Sequence, residues 1–470
     1  MHSSLKFADN QQFSSSEQQL RELEANYCSH GDTVHYTAHP KFFESCEGSF
    51  LYDASEIPFL DLQMWYSAVN FGYRNERLNG VAHQQLDRLP QVASQYLHRE
   101  KIELATLIAE DAERKFGHKG RVHFNVGGSQ AVEDSLKLVR NYTGGKSLMF
   151  AFEGGYHGRT LGATSITSSY RYRRRYGHFG ERAQFIEFPY HFRGPKGMSK
   201  EEYGHHCVQK FARLFESEYN GVWDPKAGKS EYAAFYVEPI QGTGGYVIPP
   251  TNFFVELKKV LDEHGILLVV DEIQMGVYRT GKLWSIEHFG VSPDVLVFGK
   301  AITNGLNPLS GIWAKEEMIN PTIFPPGSTH STFASNPMGT AVALETLKMV
   351  AERDFGASVM EKGAHFLEGL KDLQAQNAIV GDVDGLGLAL RMEICKPDGF
   401  TPDKATLDWM SDEGMKGDLL VDGRKYGLVL DVGGYHKNVI TLAPNLLISH
   451  DEIELAIELL GQLLIRAQRR

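Results

Sequence analysis

Three short runs, Ala233-Ala-Phe-Tyr-Val237, Ile266-Leu-Leu-Val-Val270 and Val295-Leu-Val-Phe298, are apolar at almost every position. A strand with one wet face alternates apolar and polar residues. A continuous apolar run needs cover on both faces, which parallel strands receive from their crossover helices. A helical stretch over residues 253–264 separates the first two runs. The beat extends upstream: a strand over 121–126 stops at Gly127-Gly128, a helix over 129–142 closes at Gly144-Gly145, and a further strand spans 147–152. Before them, Ile102-Glu-Leu-Ala-Thr-Leu-Ile-Ala109 has helical spacing. The pattern predicts α/β architecture with a mainly parallel open sheet.

The flanks read differently. The first forty or so residues are polar, with a helix expected around 15–27, and resemble an arm. Residues 49–53 and 58–62, joined across Ala54-Ser-Glu56, read as a hairpin. Beyond Asn336 the chain predicts helices over 340–353 and 358–376, strands over 385–393 and 439–442, and a closing helix over 451–469. The expected division is an arm and hairpin over 1–75 belonging to a small domain, a large α/β domain over 76–338, and the rest of a small α+β domain over 339–470.

Charge and cysteine content exclude several classes. With 48 Lys+Arg against 59 Asp+Glu, the net charge of −11 opposes general binding to nucleic acid or anionic membranes. The basic, aromatic stretch Tyr170-Arg-Tyr-Arg-Arg-Arg-Tyr-Gly-His-Phe179 runs against that balance. It is too short to reverse it and follows a candidate site loop, so a substrate-access or interface segment is the expected role. Cys28, Cys46, Cys207 and Cys395 form no CxxC pair, and His205-His206-Cys207 cannot face one point from a helix, so no metal is expected. No secretory h-region opens the chain and no apolar run reaches the ~20 residues needed to cross a bilayer. A cytoplasmic location is the default expectation.

Ligands of open α/β sheets bind beyond the carboxyl ends of the strands. Five ends here carry polar or glycine-rich sequence: Gly127-Gly128-Ser129, Glu153-Gly-Gly-Tyr156-His157-Gly158, Glu238-Pro-Ile-Gln241, Asp271-Glu-Ile-Gln274 and Gly299-Lys300. Each alone has a plainer reading. The glycines and Ser129 make a turn and helix cap, Asp271 caps or pairs with an arginine, and Tyr156 fills a core. Together they offer free helix N–H groups for a phosphate, a carboxylate that keeps a pyridine nitrogen protonated, and an aromatic face. Lys300, placed behind a buried strand, loses pKa from its usual ~10.4 and becomes nucleophilic.

These stretches resemble the class III aminotransferases that use pyridoxal 5′-phosphate, the group holding ornithine, acetylornithine, 4-aminobutyrate and ω-amino-acid transaminases. The resemblance is carried by Gly128-Ser-Gln-Ala-Val-Glu-Asp-Ser-Leu-Lys137, Tyr156-His-Gly-Arg-Thr160, Val237-Glu-Pro-Ile-Gln-Gly-Thr-Gly-Gly245, Val270-Asp-Glu-Ile-Gln-Met-Gly276, Arg279-Thr-Gly281, Gly299-Lys-Ala-Ile302 and His330-Ser-Thr-Phe333. It implies a fold-type-I homodimer with active sites at the subunit interface. It also implies that Lys300 is the Schiff-base lysine and proton shuttle, and that Asp271 partners the pyridine nitrogen. By the same resemblance Gly128 and Ser129 cup the phosphate, and Thr332 reaches it from the neighbouring subunit. Tyr156 stacks on the ring, and His157, Glu238 and Gln274 complete the cofactor site. The implied reaction moves an amino group from a primary amine or (ω-)amino acid to a 2-oxo acid. Racemisation, epimerisation or elimination on the same scaffold is the alternative, and a catalytically silent relative is a third reading.

One departure bears on substrate. Many members carry a carboxylate-clamping arginine three residues before a Pro-Pro-Leu near the C-terminus, whereas Thr441 stands there in Thr441-Leu-Ala-Pro-Asn-Leu446. That opposes a glutamate/2-oxoglutarate preference. His436 and Lys437, beside Gly433-Gly434, are either substrate contacts or parts of a solvated loop.

Overall fold

The apolar runs form the middle of a seven-stranded sheet. Its strands are β1 (Gly120–Asn125), β2 (Leu148–Phe152), β3 (Gln184–Ile186), β4 (Tyr232–Val237), β5 (Leu267–Asp271), β6 (Val295–Phe298) and β7 (Ser310–Lys315). They stand in the order β1-β7-β6-β5-β4-β2-β3 in this computed structural model, which describes residues 16–29, 31, 41–173, 176, 183–352 and 354–470. β3, β2, β4, β5 and β6 run parallel, with Val270 opposite Val237 on one side and Leu296 on the other. Every residue of β6, and all but the first of β4 and β5, is buried, as two-sided cover demands. β7 is the one reversed strand. Residues 299–309 are too few for a crossover helix, so the chain returns antiparallel beside β6. The helices Gly128–Tyr142 and Phe253–Glu263 match the sequence pattern and bury their apolar sides against the sheet.

The C-terminal region holds a second, antiparallel sheet. Its strands are β8 (Val380–Leu386), β9 (Ala389–Ile394), β10 (Asp431–Gly433) and β11 (Val439–Leu442), in the order β8-β9-β11-β10. The single strand expected over 385–393 is instead a hairpin. Gly387 turns the chain with φ +56°, and a Cβ there would come 2.7 Å from the backbone of Thr280. The apolar neighbours Leu386 and Leu388 disguise that turn as part of one run. A third sheet joins Ser45–Glu47, Phe50–Tyr52 and Pro58–Asp61 to the C-terminal strands Arg424–Val429 and Leu419–Val421. The expected hairpin is thus present, with an extra strand before it. Of the expected N-terminal helix, Glu17–Tyr27 is described, opened by a Ser16–Gln19 capping box.

Arg279, fully buried, fastens these parts together. Its guanidinium donates to the carbonyls of Leu388 (3.1 Å) and Pro444 (2.6 Å), to Asn70 Oδ1 (2.6 Å) and to Ser67 Oγ (2.9 Å). The acceptors come from three separate stretches of chain. Burial pulls its pKa down to about 10, and the planar donor fork still satisfies four neutral acceptors at once.

Candidate active site

Asp271 ends β5, and the chain turns immediately after it, which leaves its carboxylate at the carboxyl edge of the sheet. It is buried, so it needs partners. One oxygen accepts the N–H of Ile273 at 3.1 Å, and the other lies 2.9 Å from Nδ1 of His157. His157 is itself only 2% exposed. Burial opposes its charge, but the hydrogen bond and negative charge of Asp271 outweigh it, and the imidazole pKa is raised. His157 therefore serves Asp271 as a proton-bearing support.

Lys300 lies two residues beyond the end of the next parallel strand, β6. Its backbone has φ +44°, a left-handed conformation that costs a non-glycine residue about 1–3 kcal/mol and is tolerated where surroundings enforce it. The side chain lines a cavity of about 340 Å³. Burial lowers its pKa, and the charges of Asp271, Glu238 and Asp431 offset only part of the shift. A lysine so placed releases its proton more readily than one in water and is a better nucleophile.

Glu238 follows directly on β4, the strand on the other side of β5. Its carboxylate accepts the backbone N–H groups of Tyr156 (2.8 Å) and Gly242 (2.9 Å). Burial pushes its pKa up to about 7, against the pull of His157 and of those two donors. Three adjacent parallel strands thus end in a carboxylate, a carboxylate and a lysine that sense one another.

Beside these strand ends stands the start of the helix Gly128–Tyr142. No side chain caps its N-terminus, so its first N–H groups remain available to an anion. A Cβ on Gly128 would lie 2.8 Å from Cδ1 of Ile273, so the close approach of helix and strand end suits glycine. Ser129 and Tyr156 line the cavity, as does Gln274, whose amide donates to the Tyr246 hydroxyl at 3.1 Å. A phosphate-bearing pyridine aldehyde fits this donor set: uncapped N–H groups, an aromatic wall, a buried carboxylate and a primary amine.

The predicted residues fall into three groups. Ser129, Tyr156, Gln274 and Lys300 line the cavity, with Gly128 at its helix. His157, Glu238 and Asp271 lie buried behind it. Thr332 is elsewhere, on an exposed stretch beside Phe333. Of the two residues beside the glycine turn, Lys437 lines the cavity and His436 is exposed. The basic, aromatic segment contributes Arg171 and Tyr172 to the lining, while its residues 174–175 and 177–179 lie outside the described residues.

Two polar lining residues escaped the sequence reading. Tyr66 belongs to a turn, Met64–Ser67, in which all four residues have positive φ, between 44° and 62°. A left-handed turn costs about 1–2 kcal/mol per residue. Here Asp61 holds its start by accepting the N–H groups of Gln63 (2.8 Å) and Met64 (2.9 Å), and Arg279 holds its end through Ser67. No local pattern announces such a turn. The second residue is Asp431, which opens β10; the apolar run Leu428-Val-Leu430 that stops at it was the available signal.

A lysine, a buried carboxylate and an uncapped helix around one cavity define a site for pyridoxal-phosphate chemistry on amines. The family model for aminotransferase class-III matches residues 33–464, and the chain belongs to that pyridoxal-phosphate-dependent family. It is 33% identical over 415 residues to the alanine/serine racemase of Pyrococcus horikoshii, spanning 88% of this chain and 83% of the racemase. It is 30% identical over 459 residues to the ornithine aminotransferase of Saccharomyces cerevisiae, spanning 95% and 97%. A pyridoxal-phosphate-bound amine transaminase from an uncultivated Pseudomonas species superposes with a TM-score of 0.83 at 26% identity, covering 93% of this chain and 98% of that one.

Proposed function

We propose that this aminotransferase moves an amino group from a primary amine or (ω-)amino acid to a 2-oxo acid, with Lys300 as the covalent and proton-transferring residue. The observation that carries the reading is the meeting of Lys300 with the Asp271–His157 pair at adjacent strand ends, behind one cavity. Gly128 and Ser129 would hold the phosphate of pyridoxal 5′-phosphate, Tyr156 its ring face, and Asp271 its pyridine nitrogen. When bound, the cofactor supplies an aldehyde for amine exchange and a ring that stores the electron pair left by a broken C–H bond. Asp271, fixed by His157 and Ile273, keeps negative charge at the sheet edge. Lys300, its proton loosened by burial, takes a proton from the substrate carbon and returns it at another. Gln274 lines the cavity with the lysine, and Glu238 lies buried behind it.

The relationship to an alanine/serine racemase supports a second reading, in which the proton returns to the carbon it left. Incubating the loaded enzyme with single amines and amino acids separates the two. Transfer converts the bound aldehyde to its aminated form and releases an oxo product; racemisation leaves the cofactor spectrum unchanged while optical rotation decays. A panel of donors against pyruvate and 2-oxoglutarate then identifies the pair used.

Assembly as a homodimer in the cytoplasm belongs to the same proposal. Leu97 and Phe333 are 83% and 71% exposed, and the His98 Nε2 contact to the Ser335 carbonyl at 2.9 Å brings their segments together. Exposed apolar side chains so grouped suit an interface, and the neighbouring Thr332 would then be carried to the partner's phosphate site. Sedimentation of wild type and of Leu97→Asp tests this: a dimer is expected to dissociate in the variant, and a monomeric wild type refutes it. Four cysteines, none of them disulfide-bonded, support a reducing compartment. Among the described residues no helix is long and apolar enough to cross a membrane.

A further inference from the structure

We infer that a second cavity, separate from that of Lys300, binds a doubly charged anion carried on an aromatic body, a phosphate monoester or a dicarboxylate. The inference goes beyond the transaminase reading and does not depend on it. The cavity encloses about 480 Å³ and shares no lining residue with the Lys300 cavity. A volume of that size suits a small organic molecule. One side comes from the stretch that leads from β3 into the helix Lys200–Ala212, the other from β8, β9 and the helix Phe355–Gln376. Phe192 and Phe400, their ring centroids 5.6 Å apart, give it an aromatic wall, and Val247 and Ile248 add apolar surface.

Its charges do not cancel. Lys196, Lys200, Lys371 and Arg391 line it against Asp382 and Asp384. Asp384 takes Lys200 at 3.1 Å. Arg391, 2% exposed, meets Glu393 at 2.6 Å and Asp382 at 3.5 Å, and Glu393 also accepts from Arg193. Two arginines and two carboxylates therefore balance in that buried group. Lys196 and Lys371 are left over, and among the described residues neither forms an ion pair. A further donor is unused: the Nε–H of Arg391 is buried without an acceptor, which is rare in a folded chain. Two surplus ammonium groups and an aromatic wall around one hollow form a receptor for an anion of matching charge. A singly charged ligand leaves one lysine uncompensated, and a cation is repelled.

The second sheet carries both cavities on one face. Asp384, Arg391, Thr441 and Asp431 stand opposite one another in a single row across β8, β9, β11 and β10, and residues opposite one another in antiparallel strands share a face. The row starts in the second cavity and ends at Asp431 in the Lys300 cavity. There the Thr441 hydroxyl donates to Asp431 Oδ2 at 2.6 Å, and Gln63 Nε2 lies 3.4 Å from Oδ1. With the cavities this close, the test must tell them apart, and Lys196 and Lys371 do so because they line only the second.

The test uses the enzyme loaded with pyridoxal 5′-phosphate, so that the cofactor's own phosphate site is filled. Phenyl phosphate and phthalate are titrated by calorimetry at low salt, with benzoate and phenol as the singly charged and uncharged controls. At least one dianion is expected to bind once per chain with a dissociation constant of about 0.1–1 mM, about tenfold or more tighter than benzoate. The tighter of the two identifies ester or dicarboxylate as the ligand class. Lys196→Gln and Lys371→Gln are each expected to weaken binding about three- to tenfold, and together about 10- to 100-fold. Both lysines are exposed, so the variants are expected to fold. Thermal unfolding gives a second reading: a saturating dianion should raise the Tm of wild type and not that of the double variant. Dianions that bind no better than benzoate, that bind the double variant as tightly as wild type, or that leave the wild-type Tm unmoved overturn the inference.

Discussion

The two walls of the Lys300 cavity are built by different means. On one side, Glu238, Asp271 and Lys300 come from the ends of β4, β5 and β6, three neighbouring parallel strands. Their positions follow from the sheet: once those strands pair in register, the residues after them must converge at one edge. On the other side, Asp431 and Lys437 come from β10 and the glycine turn that follows it, and Tyr66 from a left-handed turn more than 350 residues earlier in the chain. Only packing between the sheets, fastened by Arg279, brings them in. On the proposed reading the first wall carries the chemistry, and the second borders the space a substrate would occupy.

Loss of the lysine should give the largest effect on the first wall. Lys300→Ala is expected to reduce turnover by roughly 10,000-fold or more, since it removes both the nucleophile and the proton carrier. Single-turnover spectroscopy checks this, and retention of turnover within tenfold of wild type would place the chemistry on another amine. Asp271→Asn comes next, with an expected fall of about 100- to 1,000-fold in kcat through loss of the preorganised charge. The same variant should return the pKa of His157 toward that of an ordinary buried imidazole, because its raised value depends on Asp271. NMR titration of the imidazole reads that change. An unmoved His157 would mean that the pair is structural only.

The strand-end wall was largely legible because local sequence dictates it. An apolar run followed by a polar residue announces both the strand and the exit point, so Glu238, Asp271 and Lys300 could be singled out before any coordinates. His157 was visible only as a neighbour of Tyr156; its link to Asp271, 114 residues away, is a product of folding. The second wall was legible only in outline. Thr441 stood out through resemblance, but nothing local showed that its hydroxyl would orient Asp431. The hairpin at Gly387 and the turn carrying Tyr66 were hidden for a related reason. Their conformations are imposed by contacts with Thr280, Asp61 and Arg279 rather than by residue preference.

Glu238 offers a test of whether the first wall stores strain. Its pKa of about 7 in the folded chain lies above the ordinary glutamate value of 4.5. Between those values the native state holds a proton that the unfolded chain has released, so stability falls as pH rises through that window. The loss is on the order of 3 kcal/mol once pH exceeds about 7. Glu238→Gln should remove this contribution and leave that of Glu272, which burial also raises to about 7, and denaturant unfolding of the cofactor-free protein between pH 5 and 8 measures the difference. An identical slope in the variant would show that the wall accommodates the charge at no cost.

The smallest expected effect sharpens the comparison most. Thr441→Val deletes one hydroxyl, 1% exposed, that touches Asp431 and no reacting group. A hydrogen bond to a charged acceptor is worth about 1.5–3 kcal/mol, but Gln63 and water can take up part of the loss. The expected result is therefore a roughly three- to tenfold change in relative kcat/KM among amino donors, with turnover at the strand-end wall affected less than selectivity. If Thr441→Val lowered kcat for every donor equally, the two walls would act as one unit, and the second sheet would be part of the chemistry as well as of the choice of substrate.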